Sequence, residues 1–210
     1  MSRIYLVRHG ETDWNREDRC QGCLDIDLNA EGIKQAEVVA QRLSGEEIHS
    51  IYCSNLKRAY STAEIIGQKC NLGVIRHEAL NEIHFGDWEG LTFAQLRNRP
   101  DYNYSDWRLS PHTVVFPGEG SLSNVQKRVM KYVDEIILKN VEKNILIVSH
   151  GGVIKLIILG LLGIGLEAYT KFYIANTSVS TVNVANDRNY LGTLNDTCHV
   201  SAGVPKRNFF

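Results

Sequence analysis

An α/β fold with a mostly parallel sheet is what the sequence predicts, on three observations. Short apolar runs alternate with stretches of helical period along most of the chain. Ile4-Tyr5-Leu6-Val7, and Ile145-Leu146-Ile147-Val148 within 144–149, are continuously apolar, as expected of strands buried on both faces. The composition, 43 % hydrophobic and 22 % charged over 210 residues, is that of a globular chain, with no low-complexity tract or linker.

The elements follow in order. Ile4 to Val7 is bounded by charge and reads as a core strand. Asn29 is placed to cap a helix over 30–43, with Ile33, Ala36, Ala40 and Leu43 on one face. Residues 50–54 read as a strand. Residues 56–70 read as a helix with Leu56, Ala59, Ala63, Ile66 and Cys70 in its stripe, and 74–76 as a further short strand. From 81 to 120 the pattern is irregular and holds Trp88, Trp107 and three of the four prolines. It reads as an excursion covering a pocket, with a short helix at 92–97. Ser121 caps a long helix to about Val141, with Leu122, Val125, Val129, Val133 and Ile136 as its apolar stripe. A strand at 144–149, a buried helix at 152–162, an alternating strand at 178–184 and a partner for it at 190–194 complete the reading. The whole is expected to be a single domain, 1–210, with its irregular cover at about 83–123.

A net charge of −1 gives no reason to expect a nucleic-acid or membrane-surface partner. The most apolar stretch, 153–166, is 14 residues long, contains Lys155, and is too short to span a bilayer. Met1 to Arg8 runs directly into a strand pattern, so no secretory leader is expected. Five cysteines, an odd number, argue against a disulfide framework. A cytoplasmic protein follows from these readings.

Ligands of open α/β sheets bind beyond the carboxyl ends of the strands. His9 and His150 both fall there, each followed by glycine, in the echoing segments Leu6-Val7-Arg8-His9-Gly10 and Ile147-Val148-Ser149-His150-Gly151. Arg58 falls in the first turn of a predicted helix, where a cation opposes the macrodipole. An anion held between that helix start and Arg8 would account for it; a solvated Lys57-Arg58 pair is the plain alternative. Arginine, histidine and exposed backbone N–H together form a phosphate-binding set. Cys20-Gln21-Gly22-Cys23 lacks the context of a redox or zinc motif. His49, His77, His84, His112 and His199 form no metal-ligand spacing, so neither a metal nor a cofactor is expected.

At these residues the chain resembles the histidine phosphatase, or phosphoglycerate-mutase-like, superfamily. Leu6-Val7-Arg8-His9-Gly10-Glu11-Thr12-Asp13-Trp14-Asn15 resembles its signature. Further matches follow in order at Gln21 to Leu28, Ser54 to Ala59, Asn81 to Gly90 and Ser149 to Gly152, and the resemblance spans residues 3 to 199. It implies a three-layer sandwich with helices on both faces of the sheet. It implies His9 as a nucleophile forming a phosphohistidine, and Arg8, Arg58 and His150 as a clamp on the phosphoryl oxygens. Asn15 and the Gly151 N–H would add phosphate contacts, and Glu82 would act as proton donor and then base. Gln21, Gly22 and His84 are assigned to substrate binding, although a structural role for His84 is an equal reading.

Within the family, the acid is followed by Ile83-His84 rather than by the mutase arginine. Ser-His-Gly-Gly replaces the mutase His-Gly-Asn, and the chain is shorter than typical mutases. These features imply a phosphatase of a small phosphomonoester, with a homodimer allowed. Leu194 to His199 resembles α-ribazole-phosphatase and metal-independent phosphoserine-phosphatase members, which leaves a broad-specificity enzyme open as well. A cofactor-dependent phosphoglycerate mutase, a metallohydrolase and a non-catalytic phospho-ligand module are the alternatives. Gly118-Glu119-Gly120-Ser121 departs by one position from the family's Gly-Gly-Glu-Ser, so no pocket role is carried to Glu119.

Overall fold

The structure, a computed structural model, describes residues 2–185 and 188–200; the rest of the expected 1–210 domain lies outside the described residues. Six strands form one sheet: β1 (Ser2–Arg8), β2 (Ser50–Cys53), β3 (Val74–Arg76), β4 (Ile145–Ser149), β5 (Val179–Val184) and β6 (Asn189–Asp196). Their order is β3-β2-β4-β1-β5-β6. β1, β2, β3 and β4 pair in parallel; β5 and β6 extend the sheet antiparallel on the β1 side. The helices are α1 (Asp13–Arg16), α2 (Ala30–Leu43), α3 (Lys57–Cys70), α4 (Phe93–Arg97), α5 (Tyr104–Leu109), α6 (Leu122–Lys139) and α7 (Gly151–Leu162).

Strand residues alternate between two apolar layers, as the pleat requires. Tyr5, Val7, Ile51, Cys53, Leu146 and Val148 pack under α2 and α3, through Val39, Leu43, Ala59, Ala63 and Ile66. Ile4, Leu6, Ile145, Ile147 and Val182 pack under α6 and α7, through Val125, Val129, Val133, Val153 and Ile157. The three layers expected from the family resemblance are therefore present. No helix among the described residues is long and apolar enough to cross a membrane.

Several expected caps are seen directly. The Asn29 side chain accepts from Gly32 N (2.8 Å), and Ser121 Oγ accepts from Asn124 N (3.3 Å). All five stripe residues of α6 are buried. The α2 stripe differs from expectation: Ile33 is 45 % exposed, and the inner face carries Gly32, Ala36, Val39, Ala40 and Leu43. Gly32 takes the inner position because the chain after β1 crosses it closely. A Cβ on Gly32 would lie 2.1 Å from Glu11 O, and one on Gly10 2.3 Å from Gly32 O. The strand over 179–184 is almost wholly buried rather than half-exposed, because both of its faces are covered: Val182 lies in the layer under α6 and α7, and Val179 in the layer under α2 and α3. Its polar side chains are paired there: Ser180 Oγ accepts from Asn195 N, and Asn183 Oδ1 from Arg3 Nε.

Between β3 and α6 the chain forms α4, α5 and 3₁₀ turns at 86–88, 100–102 and 111–113. An aromatic cluster holds this stretch together. Phe85 stacks on Trp88, Trp107 meets Phe85 and Phe116 edge-on, and Trp88 is almost fully buried. Trp107 also contacts Tyr169, which ties this cover to the segment after α7.

Candidate active site

The two echoing segments are register partners. Leu6 pairs with Ile147, Val7 with Val148 and Arg8 with Ser149. His9 and His150 thus leave adjacent central strands at the same level, with ring centroids 5.1 Å apart and both rings buried. His9 Nδ1 lies 2.7 Å from Gly10 O, so a proton there is donated to the carbonyl and Nε2 keeps the lone pair. Burial, then the Arg58 and Arg8 charges, push the His9 imidazole well below its ordinary pKa and keep it neutral.

His150 is neutral for the same reasons: burial first, then Arg58, His9 and Arg8. Its Nε2 is 2.9 Å from Ser54 Oγ. The Ser54 hydroxyl donates to Asn81 Oδ1 (2.7 Å), so its oxygen accepts from His150 Nε2–H. Ser54 is absent from the sequence-derived set of roles, because a serine after a strand looks like a turn residue.

Arg58 is fully buried. Its Nη1 donates to Leu24 O and its Nη2 to Gly22 O, both at 2.7 Å. Burial lowers its pKa to about 10, which leaves it charged at neutral pH. Gly22 therefore enters the site through its carbonyl, which aims the guanidinium. Its φ of +51° and a virtual Cβ 2.1 Å from Glu89 Oε1 explain the glycine. Gln21 is buried beside it, and the protein supplies no partner for its Oε1. Arg8 Nη1 donates to Ile174 O (2.8 Å) and to the Tyr173 hydroxyl (3.2 Å), and the Arg8 guanidinium lies against Gly151. Arg8 Nε, Arg58 Nε and His150 Nδ1 are buried with no protein partner. The two arginine nitrogens are donors left for an anion's oxygens, whereas His150 Nδ1 carries a lone pair in the neutral ring and donates only once it is protonated.

Asn15 is buried at N3 of α1, in a reciprocal capping box with Thr12. Its Oδ1 accepts from Thr12 N and from Asn176 Nδ2, which also donates to His9 O. These bonds fix the orientation of the amide. Gly10 N donates to Thr62 Oγ1 on α3, which fixes the loop after His9.

The Glu82 carboxylate accepts from Ile83 N (3.0 Å) and, across the site, from Gly152 N in the first turn of α7 (3.2 Å). The segment carrying Glu82 is braced from α6. Arg128 donates to Ala79 O and Asn81 O and binds both Glu119 oxygens, at 2.5 and 2.9 Å; Glu119 N in turn donates to His84 O. Glu119 thus acts at one remove, by holding the main chain on both sides of Glu82. The His84 ring is exposed, 4.0 Å from Glu89, and has no contact with the His9 cluster among the described residues.

Burial raises both thiols of the Cys20–Cys23 pair, that of Cys23 to about 11, so both are protonated at neutral pH. The Cys23 thiol donates to Glu82 O (3.2 Å). Among the described residues no group of three His, Cys, Asp or Glu side chains could hold a metal ion.

Residues 4–197 match the histidine phosphatase superfamily (branch 1). Phosphoserine phosphatase 1 of Hydrogenobacter thermophilus is 36 % identical over 200 residues, 95 % of each chain. The metal-independent phosphoserine phosphatase of Arabidopsis thaliana is 34 % identical, over 100 % of this chain and 88 % of that one. A phosphoserine phosphatase of Entamoeba histolytica, solved as its H9A mutant with phosphoserine, superposes with a TM-score of 0.86 at 37 % identity. That match covers 95 % of this chain and 100 % of the other.

Proposed function

The chain belongs to branch 1 of the histidine phosphatase superfamily, and from that membership we propose how its residues divide the work of a phosphomonoester hydrolase. His9 Nε2 attacks phosphorus, the P–O bond to the alcohol breaks, and the phosphoryl group is carried on His9. Arg8, Arg58, Asn15 and the Gly151 N–H donate to the three phosphoryl oxygens as negative charge spreads over them. His150 Nδ1 joins them by taking up a proton when the phosphate dianion enters, since the dianion offsets the burial and the two arginines that otherwise keep the ring neutral. Glu82 gives a proton to the departing alkoxide and then takes one from the water that attacks phosphohistidine, which regenerates both groups.

The observation that carries this reading is His9 itself: kept neutral first by its burial and then by the Arg58 and Arg8 charges, and anchored through Nδ1 so that Nε2 is the nucleophile. Gln21, buried next to the Gly22 carbonyl that holds Arg58 and with its Oε1 unpartnered by the protein, is assigned to the substrate. His84 could do so only by turning its exposed ring inward. The similarity to phosphoserine phosphatases supports a small phosphorylated metabolite of the phosphoserine type as substrate. Five free thiols support a reducing compartment, the cytoplasm.

The test is phosphate release from phosphoserine, α-ribazole 5′-phosphate and 3-phosphoglycerate after exhaustive chelation. Release should persist without metal and vanish in His9→Ala. Loss on chelation with recovery on adding a divalent ion would mean a metallohydrolase. Formation of 2-phosphoglycerate ten-fold faster than phosphate would mean a mutase.

A further inference from the structure

Lys155 is the only charged residue of α7, a helix that is otherwise apolar. Its Nζ lies 4.9 Å from the ring centroid of Tyr169 and 5.8 Å from that of Phe172. No carboxylate pairs with it among the described residues. Burial, and then Arg8, lower its pKa to about 8, with Glu82 acting in the opposite direction. A cation is thus held half-buried where its own surroundings disfavour the charge, and an anion beside it would reverse that. The plain alternative is a lysine that rests its stem on aromatic rings with its head in water.

Its place on α7 argues against that alternative. Gly151 lies under the Arg8 guanidinium, and the next N–H, of Gly152, holds Glu82. A Cβ on Gly152 would lie 2.7 Å from Glu82 Oε1 and 2.9 Å from the Tyr169 hydroxyl. The ring that carries Lys155 therefore has its hydroxyl beside the acid. Lys155 is four residues beyond Gly151, on the same face and about 6 Å further along the axis. Phosphate clamp, proton donor and ammonium follow one another along a single helix face. With phosphorus at His9 and the ester oxygen at Glu82, the helix rise from Gly151 to Lys155 is about the span of the two or three carbons beyond that oxygen.

We propose that Lys155, framed by Tyr169 and Phe172, sets specificity by binding a carboxylate on the substrate's alcohol, within three carbons of the ester oxygen. This rests on the hydrolase reading for the placement of phosphorus and ester oxygen. Phosphoserine and phosphoethanolamine differ only by such a carboxylate. In the wild type, kcat/KM for phosphoserine should exceed that for phosphoethanolamine at least ten-fold. Lys155→Met keeps the stem on the rings and should cut phosphoserine turnover roughly 10- to 100-fold, the worth of one charge-assisted hydrogen bond. It should lower phosphoethanolamine turnover less than about three-fold, and Lys155→Arg should restore most of the preference. A wild type without the preference, or a preference that survives Lys155→Met, overturns the proposal.

Calorimetry in a His9→Ala background decides the point without turnover. Lys155→Met should weaken phosphoserine binding roughly 10- to 100-fold and inorganic phosphate binding less than about three-fold. Equal weakening of both, or of neither, overturns the subsite. A wild type that releases no phosphate from p-nitrophenyl phosphate overturns the hydrolase reading instead, and the binding comparison still stands.

Discussion

Replacing Glu82 by glutamine separates two duties of one side chain. The carboxylate accepts one N–H on each oxygen, from Ile83 at 3.0 Å and from Gly152 at 3.2 Å. A glutamine side chain has one acceptor oxygen, so one of those N–H groups would face an NH₂. That exchange costs about 1 kcal/mol, roughly five-fold, and acts on every substrate alike. The lost proton donor acts only where the leaving group needs a proton, and there the expected loss is roughly 10²- to 10⁴-fold. In Glu82→Gln, kcat/KM should therefore fall by two to four decades for phosphoserine and by less than about ten-fold for p-nitrophenyl phosphate. On the proposed assignment the second step needs Glu82 as base whatever the substrate, so phosphoenzyme should accumulate. Stopped-flow should then show a burst of nitrophenol of about one per active site, followed by a slow steady state. Equal losses in kcat/KM for both esters, with no burst, would refute the reasoning and leave Glu82 a structural carboxylate.

Gly152→Ala would place a methyl group 2.7 Å from Glu82 Oε1, 2.9 Å from Ile83 Cδ1 and 2.9 Å from the Tyr169 hydroxyl, so the carboxylate must move by several tenths of an ångström. Activity on alkyl phosphates should drop roughly 10- to 100-fold with a smaller effect on p-nitrophenyl phosphate, measured as kcat/KM for each. Arg128→Leu removes the bonds to Glu119, Ala79 O and Asn81 O. It should destabilise the protein by about 2 kcal/mol in urea unfolding and slow alkyl phosphates more than aryl ones. His9 and His150 both have depressed folded-state pKa values, so the unfolded chain binds more protons than the folded one once pH falls below about 6.5. From pH 7.5 to 5.5 these two groups should remove up to about 2.7 kcal/mol of stability, read from the urea midpoint. A midpoint that does not move would contradict two buried neutral imidazoles.

The central strands and their histidine ends were legible because continuous apolar runs leave few alternatives, and the two echoing segments proved to be partners in the sheet. The caps at Asn29 and Ser121 were legible because a short polar side chain before a periodic stretch does one thing. Helix α5 was not. It starts from Asn103 in the left-handed region with no side-chain cap, and it is held by the Trp88–Tyr104 and Phe85–Trp107 contacts rather than by its own pattern. Ile33 was misplaced because a glycine one position earlier occupies the inner face, and periodicity alone gives a glycine no weight. Of the site, the histidines and arginines could be read from their positions. The bracing groups could not: Arg128 and Glu119 look like solvated charges until the fold brings each to the other. The surroundings of Lys155 could not be read either, since nothing in the sequence places Tyr169 and Phe172 over it.

The phosphoryl group on His9 is the claim on which the rest depends. Wild-type protein quenched without acid during turnover of ³²P-labelled phosphoserine should carry label that is labile to acid and stable to base. The label should map to the peptide containing His9 and be absent in His9→Ala. Equal labelling of His9→Ala, or steady phosphate release by the wild type with no label at any time point, would contradict it.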